Sequence, residues 1–327
     1  MNIIIFGSGL AGLAVALGLV SKQDDICVNI VEKRLQFDRR GATFGLAPNG
    51  QVALRELCPD ALRHLQSVGI PMENSDGYML PWWEVHDSLL TEARRHEDRI
   101  AIHMGMRVDQ VRQHDGGVTV NFQCSDLVLD GDVLIGADGV RSQIRTQVLG
   151  LPPAVPTGTF TWRGRINVTN IAALQHLLDI RIGASDVFGS KLLLFYFNFH
   201  DTLPGTIAWT ARTQVKDIIP GVTTPMDILE EYLLESNHLE HGNDVERKKV
   251  ETAKEIFRHS LEIDLTCSSE LSVIDLKSGW GGNGRITLIG DAAHAVRPYS
   301  GLGGAVAFED AVVLSRLLAK TAATKSR

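Results

Sequence analysis

Asn2 to Phe6 is an unbroken apolar run, and Leu13 to Val20 is apolar on most helical faces. The first pattern predicts a parallel strand buried on both sides, the second a helix packed on more than one side. Cys27 to Val31 and Asp132 to Ile135 read as further buried strands. Helices are predicted over Gln51–Gln66 and Asp87–His96. Strands are predicted over Ile100–His103, Arg107–Gln113 and Val118–Cys124, with Asp115-Gly116-Gly117 as a hairpin turn. Leu151 to Pro156 holds three prolines and reads as a linker. Beyond it the texture changes. Thr159–Val168, Lys191–Phe199 and Gly205–Arg212 are rich in aromatic and β-branched residues and read as strands. Met226–Ser236 and Asn243–His259 read as helices. Ile286–Ile289 returns as a buried strand, followed by a helix over Ala305–Leu318. The pattern predicts an α/β fold. Residues 1–156 and 273–327 form one discontinuous Rossmann-like domain, and residues 157–272 form an inserted α+β domain.

Composition adds little to this and excludes more. The 327 residues are 44% apolar and 22% charged, which suits a globular chain with an ample core. A formal charge of −7 disfavours a nucleic-acid partner. The four cysteines are far apart, with no CxxC pair, so reduced thiols and a cytoplasmic protein are expected. The apolar start resembles a signal peptide or a membrane span. However, its first Lys is Lys22, and glycines stand at positions 7, 9, 12 and 18, so neither is predicted. Candidate metal ligands are scattered, with no HExxH, and no metal is predicted. No GxSxG points to hydrolysis.

Two glycine turns carry the chemistry. Gly7-Ser8-Gly9-Leu10-Ala11-Gly12 joins the first strand to the first helix, and Glu32 ends the second strand twenty residues after Gly12. In this layout Gly7 permits the turn, Gly9 lets backbone approach a pyrophosphate at the helix N-terminus, and Gly12 lets helix and strand pack closely. Glu32 then accepts hydrogen bonds from a ribose. The alternative is an ordinary glycine turn in a packed βαβ unit, and the motif alone does not separate FAD from NAD. Near the other end, Gly290-Asp291 follows a strand, and Gly301, Gly303 and Gly304 open a helix. A helix N-terminus aimed at a flavin ring would favour its anionic reduced form.

GSGLAG with Glu32, GADGVRS over residues 136–142 and GDAAHAVRPYSGLGG over residues 290–304 occur in order. Together they resemble the group A flavoprotein monooxygenases, the FAD-dependent aromatic hydroxylases of the 4-hydroxybenzoate and salicylate hydroxylase type. GATFGLAPNG at 41–50 resembles that family's loop, and Thr161-Trp162-Arg163-Gly164 resembles a feature of the salicylate-hydroxylase branch. The resemblance implies that Gly7, Gly9, Leu10, Ala11 and Gly12 surround the FAD pyrophosphate. Glu32 with Lys33 meets the adenosine ribose, backbone at Val108 meets the adenine, and Gly45 belongs to the cofactor loop. Asp138 supports cofactor and nicotinamide binding, Asp291 bonds the ribityl chain, Pro298 lies over the reactive side of the ring, and Gly301, Gly303 and Gly304 lie near it. Two positions depart from the family: Ala305, where Asn is common, and Pro81-Trp82-Trp83-Glu84, where many members carry an Arg that meets an FAD phosphate.

The implied reaction is reduction of FAD by NADPH or NADH as a transient co-substrate, capture of O2 as a flavin hydroperoxide, and transfer of one oxygen atom to a small, aromatic substrate. No second GxGxxG exists for a resident nicotinamide cofactor, because Gly281-Gly282-Asn283-Gly284 precedes a strand and reads as a loop. His294 either holds the Asp291 loop or acts as a base. Arg163 either binds a substrate carboxylate or pairs with a surface acid. Tyr196, Trp209 and Tyr299 line a pocket or fill core. Three alternatives share the scaffold: epoxidation of a terpenoid or polyketide alkene, a flavin dehydrogenase or reductase, and a non-catalytic FAD-binding module. A monomer or homodimer is expected.

Overall fold

The computed structural model describes residues 1–37, 43–72, 75–180, 184–199, 204–214, 218–219, 222–236, 243–260, 269–275, 277, 280, 282–296 and 302–325. Its main sheet has six strands. In spatial order these are β16 (Gly282–Asn283), β17 (Ile286–Leu288), β10 (Val133–Gly136), β1 (Asn2–Phe6), β2 (Cys27–Glu32) and β6 (Ile100–Met104). All pairings are parallel except the β16–β17 hairpin. β1 lies between β10 and β2, and Ile3, Ile4 and Ile5 are completely buried. That central position is why its sequence does not alternate.

One face of this sheet packs α1 (Leu10–Val20), and α1 in turn packs α2 (Pro48–Leu57), α4 (Trp82–Arg94) and α8 (Gly303–Lys325). The other face is covered by a three-stranded antiparallel sheet, β7 (Val108–His114), β8 (Gly117–Phe122) and β9 (Val128–Gly131). There Val118, Val120 and Phe122 meet Ile4, Phe6 and Leu134. A small sheet of β3 (Thr43–Leu46), β5 (Tyr78–Pro81) and β4 (Ile70–Pro71) flanks the helices.

The second large sheet is antiparallel, in the order β12 (Ala184–Phe188), β13 (Leu192–Asn198), β14 (Thr206–Thr213), β11 (Val155–Asn167) and β15 (Ser269–Val273). In β13 buried and half-buried residues alternate cleanly. Trp162, Ile166, Leu194, Tyr196 and Trp209 pack beneath α5 (Pro225–Ser236) and α6 (Asp244–His259). Tyr196 and Trp209 are therefore core. Gly164 pairs with Trp209 across the strands, and a Cβ there would lie 2.7 Å from the indole. The glycine of TWRG thus makes room for a tryptophan. Thr161, Arg163 and Arg165 point to the opposite face, where the Arg165 guanidinium lies 4.8 Å from the Trp83 ring centroid on α4.

Four expected elements shift. The helix expected over 51–66 is two, α2 and α3 (Pro59–Val68), broken at Cys58, because Pro59 lacks an N–H and forces the preceding residue out of helical geometry. α4 begins at Trp82, five residues before the expected start, where Trp82 stacks on His86 one turn later. The last two residues of the expected linker, Val155 and Pro156, already pair with Val273 and Ser272. The final helix starts at Gly303 and runs to Lys325. Among the described residues, no helix is long and apolar enough to cross a membrane.

Candidate active site

The three glycines of the first turn are there for three different reasons. Gly7 has φ +99°, and a Cβ on it would lie 2.3 Å from the Ala137 carbonyl oxygen. A Cβ on Gly12 would lie 2.0 Å from the Gly7 carbonyl oxygen. A Cβ on Gly9 would meet nothing within 4 Å. Gly9 caps α1, so the free N–H groups of the first helical turn open onto the space beside it.

Glu32, buried at the end of β2, braces this turn. Its Oε2 accepts from the Ser8 amide at 3.1 Å and the Ser8 hydroxyl at 2.5 Å, and its Oε1 accepts from the Arg34 amide at 2.9 Å and Arg34 Nε at 3.1 Å. Burial pushes its pKa up, but the Arg34 and Ser8 hydrogen bonds outweigh this and hold it at about 2. Glu32 is therefore an anion at any working pH.

Gly7, Gly9, Glu32, Lys33, Val108 and Asp138 line one cavity of about 220 Å³. Arg34, Arg107 and Arg141 stand around it. Asp138 spends Oδ2 on the Gln143 and Ile144 amides, at 2.7 and 3.3 Å. Its Oδ1 is buried with no hydrogen-bond partner among the described residues. An orphan carboxylate oxygen on a cavity wall fits a polar ligand that supplies a donor. The open Cα face of Gly9 fits a closely approaching phosphate. Two larger cavities contain no residue of either glycine turn: one of about 340 Å³ beside the β12–β13 hairpin, and one of about 460 Å³ between α3 and α4.

The second turn sits against the first. Gly290 has φ +57°, and a Cβ on it would lie 2.9 Å from the Ala11 Cβ. Asp310 on α8 holds this turn, with Oδ2 accepting from the Gly290 amide at 2.8 Å and lying 2.6 Å from His294 Nε2. His294 is buried and packs on Trp280 at 5.0 Å between ring centroids. Its Nε2 is thus committed to holding the loop. Burial lowers its pKa, but Asp310 overcomes this and the net shift is upward. Asp291 keeps an accessible carboxylate while protein crowds it on the remaining sides. That desolvation raises its pKa, and His294 pulls it back only in part.

The His294 shift gives a testable sign. A histidine with a raised folded pKa contributes stability that is fully present below its ordinary value of 6.5 and lost as pH rises through the folded value. Asp310→Asn is expected to flatten the fall in Tm between about pH 6 and pH 9. Thermal melts of both proteins across that range check it, and parallel curves would count against the pairing.

Gly304 and Gly303 head α8. A Cβ on Gly304 would run into the Phe44 ring at 2.1 Å, so that glycine serves packing, whereas a Cβ on Gly303 would only touch Val296 Cγ2 at 3.8 Å and one on Gly45 would meet nothing within 4 Å. Gly50 lies against Ala305, with only 3.2 Å between a Cβ there and the Ala305 Cβ. Ala305 is completely buried, so the close crossing of α2 and α8 leaves no room for an asparagine. Trp82 stacks on His86 and Trp83 lies under Arg165, so both residues at the other departure are spent on packing. Leu10 is buried in α1, and Lys33 is exposed. Pro298, Tyr299 and Gly301 lie outside the described residues. Sequence reading missed Ser8, Arg34, His86 and Asp310. Arg34 stands only two residues from its partner Glu32, whereas the partners of Ser8, His86 and Asp310 are brought to them by the fold, so no local pattern marks those three.

A mainly parallel sheet with a glycine turn, a buried acid at the end of β2 and a cavity lined by both defines a dinucleotide-binding α/β protein. Residues 281–326 match the model of an FAD binding domain family. Over 97% of its length the chain is 26% identical to the FAD-dependent monooxygenase thnD of Trichoderma harzianum, covering 83% of that protein. It is 26% identical to the FAD-dependent urate hydroxylase of Klebsiella pneumoniae, with 98% of this chain and 82% of that one covered. Among solved structures, CtdE in complex with FAD and a substrate superposes with a TM-score of 0.80 at 18% identity, over 98% of this chain and 81% of that chain. Along nearly its whole length the chain is similar to the FAD-binding group A flavin monooxygenases, and it is an FAD-dependent monooxygenase of a small organic substrate.

Proposed function

We propose that this enzyme consumes NADPH or NADH and hydroxylates a small aromatic substrate carrying an anionic group, bound against the arginine-bearing face of the second sheet. The observation that carries this reading is the composition of that face. Arg163 lies opposite Thr210, Arg212 lies opposite Thr161, and the Arg212 guanidinium stands 5.2 Å from the ring centroid of Phe195. Guanidinium groups beside an aromatic ring suit a flat, anionic ligand. Arg165 against Trp83 turns this face toward α4 of the nucleotide-binding side.

When bound, FAD would supply the redox chemistry that couples nicotinamide oxidation to insertion of one oxygen atom of O2 into the substrate, with the other leaving as water. The chain's residues bind and orient. Gly7, Gly9 and Gly12, with Leu10 and Ala11, hold the pyrophosphate at the α1 N-terminus. Glu32, Lys33 and Val108 hold the adenosine end, and Asp138 supports the middle of the cofactor. Asp291, fixed through Gly290 by Asp310, receives the ribityl hydroxyls. Gly45 and Gly303 border the ring. Arg163 fixes the substrate anion, and the second sheet keeps water from the reacting atoms.

The test supplies purified holoenzyme with isotopically labelled O2, NADPH or NADH, and a panel of aromatic acids with their neutral analogues. Aromatic acids are expected to stimulate NAD(P)H consumption and to leave as products carrying label. Arg163→Leu is expected to raise KM for the acid by about tenfold to a hundredfold, the worth of one charge-assisted pair. Unlabelled product would overturn oxygen insertion, and a preference for the neutral analogues would overturn the anionic class.

A further inference from the structure

His86 takes no part in the chemistry above, yet it touches the first glycine turn from a helix far away in sequence. It lies on α4, is 2% exposed, and places Nε2 2.9 Å from the Ser8 carbonyl oxygen. The ring is sandwiched. Trp82 stacks on it at 5.1 Å and 17°, and Phe37, beyond the end of β2, meets it at 5.1 Å and 54°. Asp87 on the same helix reaches only to 3.7 Å of Nδ1, beyond a hydrogen bond. Arg34, whose guanidinium lies 5.8 Å from the Phe37 centroid, is the nearby cation. Burial pushes the imidazole pKa below its ordinary value, which favours the neutral ring. A carbonyl oxygen only accepts, which places the ring's single N–H on Nε2.

Ser8 is therefore gripped from two directions. Its amide and hydroxyl donate to Glu32, and its carbonyl accepts from His86. It sits between Gly7 and Gly9, the two residues of the turn with the widest backbone freedom. We propose that His86 is a positioning residue for this turn: its Nε2–H, aimed at the Ser8 carbonyl, holds Gly7–Gly9 in the conformation that receives the cofactor diphosphate. This inference rests on the assignment of that turn to the pyrophosphate. An ordered loop does not pay its ordering entropy again on binding, so the contact acts on affinity.

Apoprotein titrated with FAD by fluorescence quenching, alongside apoprotein melts, tests it. His86→Phe keeps the aromatic stack and removes the donor, and its FAD Kd is expected to rise about tenfold. His86→Gln carries an amide N–H at the reach of Nε2 and is expected to stay within about threefold of the parent, whereas His86→Asn is too short and is expected to lose affinity like the Phe variant. Should the Phe variant not fold, the Gln and Asn pair decides. An unchanged Kd in His86→Phe and His86→Asn, or equal losses in Gln and Asn, overturns the proposal. Gly9→Val separates the two readings. If it binds FAD normally, the site assignment itself is wrong. If it loses FAD while the His86 variants do not, only the role of His86 falls.

Discussion

Gly9→Val is expected to give a folded chain that retains no FAD, while Gly12→Ala is expected to damage the fold itself. The two glycines stand three residues apart in one motif, but their surroundings differ. Gly9 has φ −72°, an ordinary value, and a Cβ there meets nothing within 4 Å, so the apoprotein tolerates a side chain. That side chain would fill the space a phosphate needs beside the α1 N-terminus. At Gly12 the added carbon would lie 2.0 Å from the Gly7 carbonyl oxygen, which is backbone and has no rotamer to give. Helix and strand must move apart, at a cost of about 3 kcal/mol or more. For a chain of this size that lowers Tm by about 4 °C or more. Melts of the apoproteins together with flavin absorbance after purification distinguish the two. A colourless but stable Gly9→Val beside an unstable Gly12→Ala is the expected pair, and yellow Gly9→Val protein would remove the pyrophosphate from this turn.

Asp291→Ala is expected to lose FAD with no loss of apoprotein stability. The Asp291 pKa is raised in the folded chain, so its ionised form is disfavoured there relative to the unfolded chain. At neutral pH the carboxylate therefore costs stability, and removing it does not destabilise. In the proposed role it accepts hydrogen bonds from ligand hydroxyls in a crowded, weakly solvated place, where each is worth more than in water. The expected result is an apoprotein Tm at or above the parent's and an FAD Kd raised by about a hundredfold, the loss of two charge-assisted bonds. A lower Tm with tight FAD would show that Asp291 braces the turn and does not hold the cofactor.

Much of the nucleotide-binding half was legible from residues. Ile3-Ile4-Ile5 has no alternation because β1 is central in its sheet, and three glycines at fixed spacing followed by an acid mark a strand, a turn and a helix. These signals are local, set by backbone sterics and by burial on both faces. The inserted half was legible only as strands and helices. Which face of β11 looks toward α4 follows from register, and the choice between Trp162 and Arg163 for the core was settled by Trp209 lying across Gly164.

The sequence by itself pointed to the class of cofactor, because the proposed phosphate-binding turn is built from consecutive backbone and needs only glycines, a helix start and a nearby acid. Tertiary structure decided what holds that turn in place. His86 reaches Ser8 across 78 residues, and Asp310 reaches Gly290 across 20. Such tethers leave no periodicity behind, since a side-chain hydrogen bond depends on where two elements pack and not on the residues beside it. The same reason makes Ala305 intelligible only in the fold, where Gly50 comes too close for anything larger.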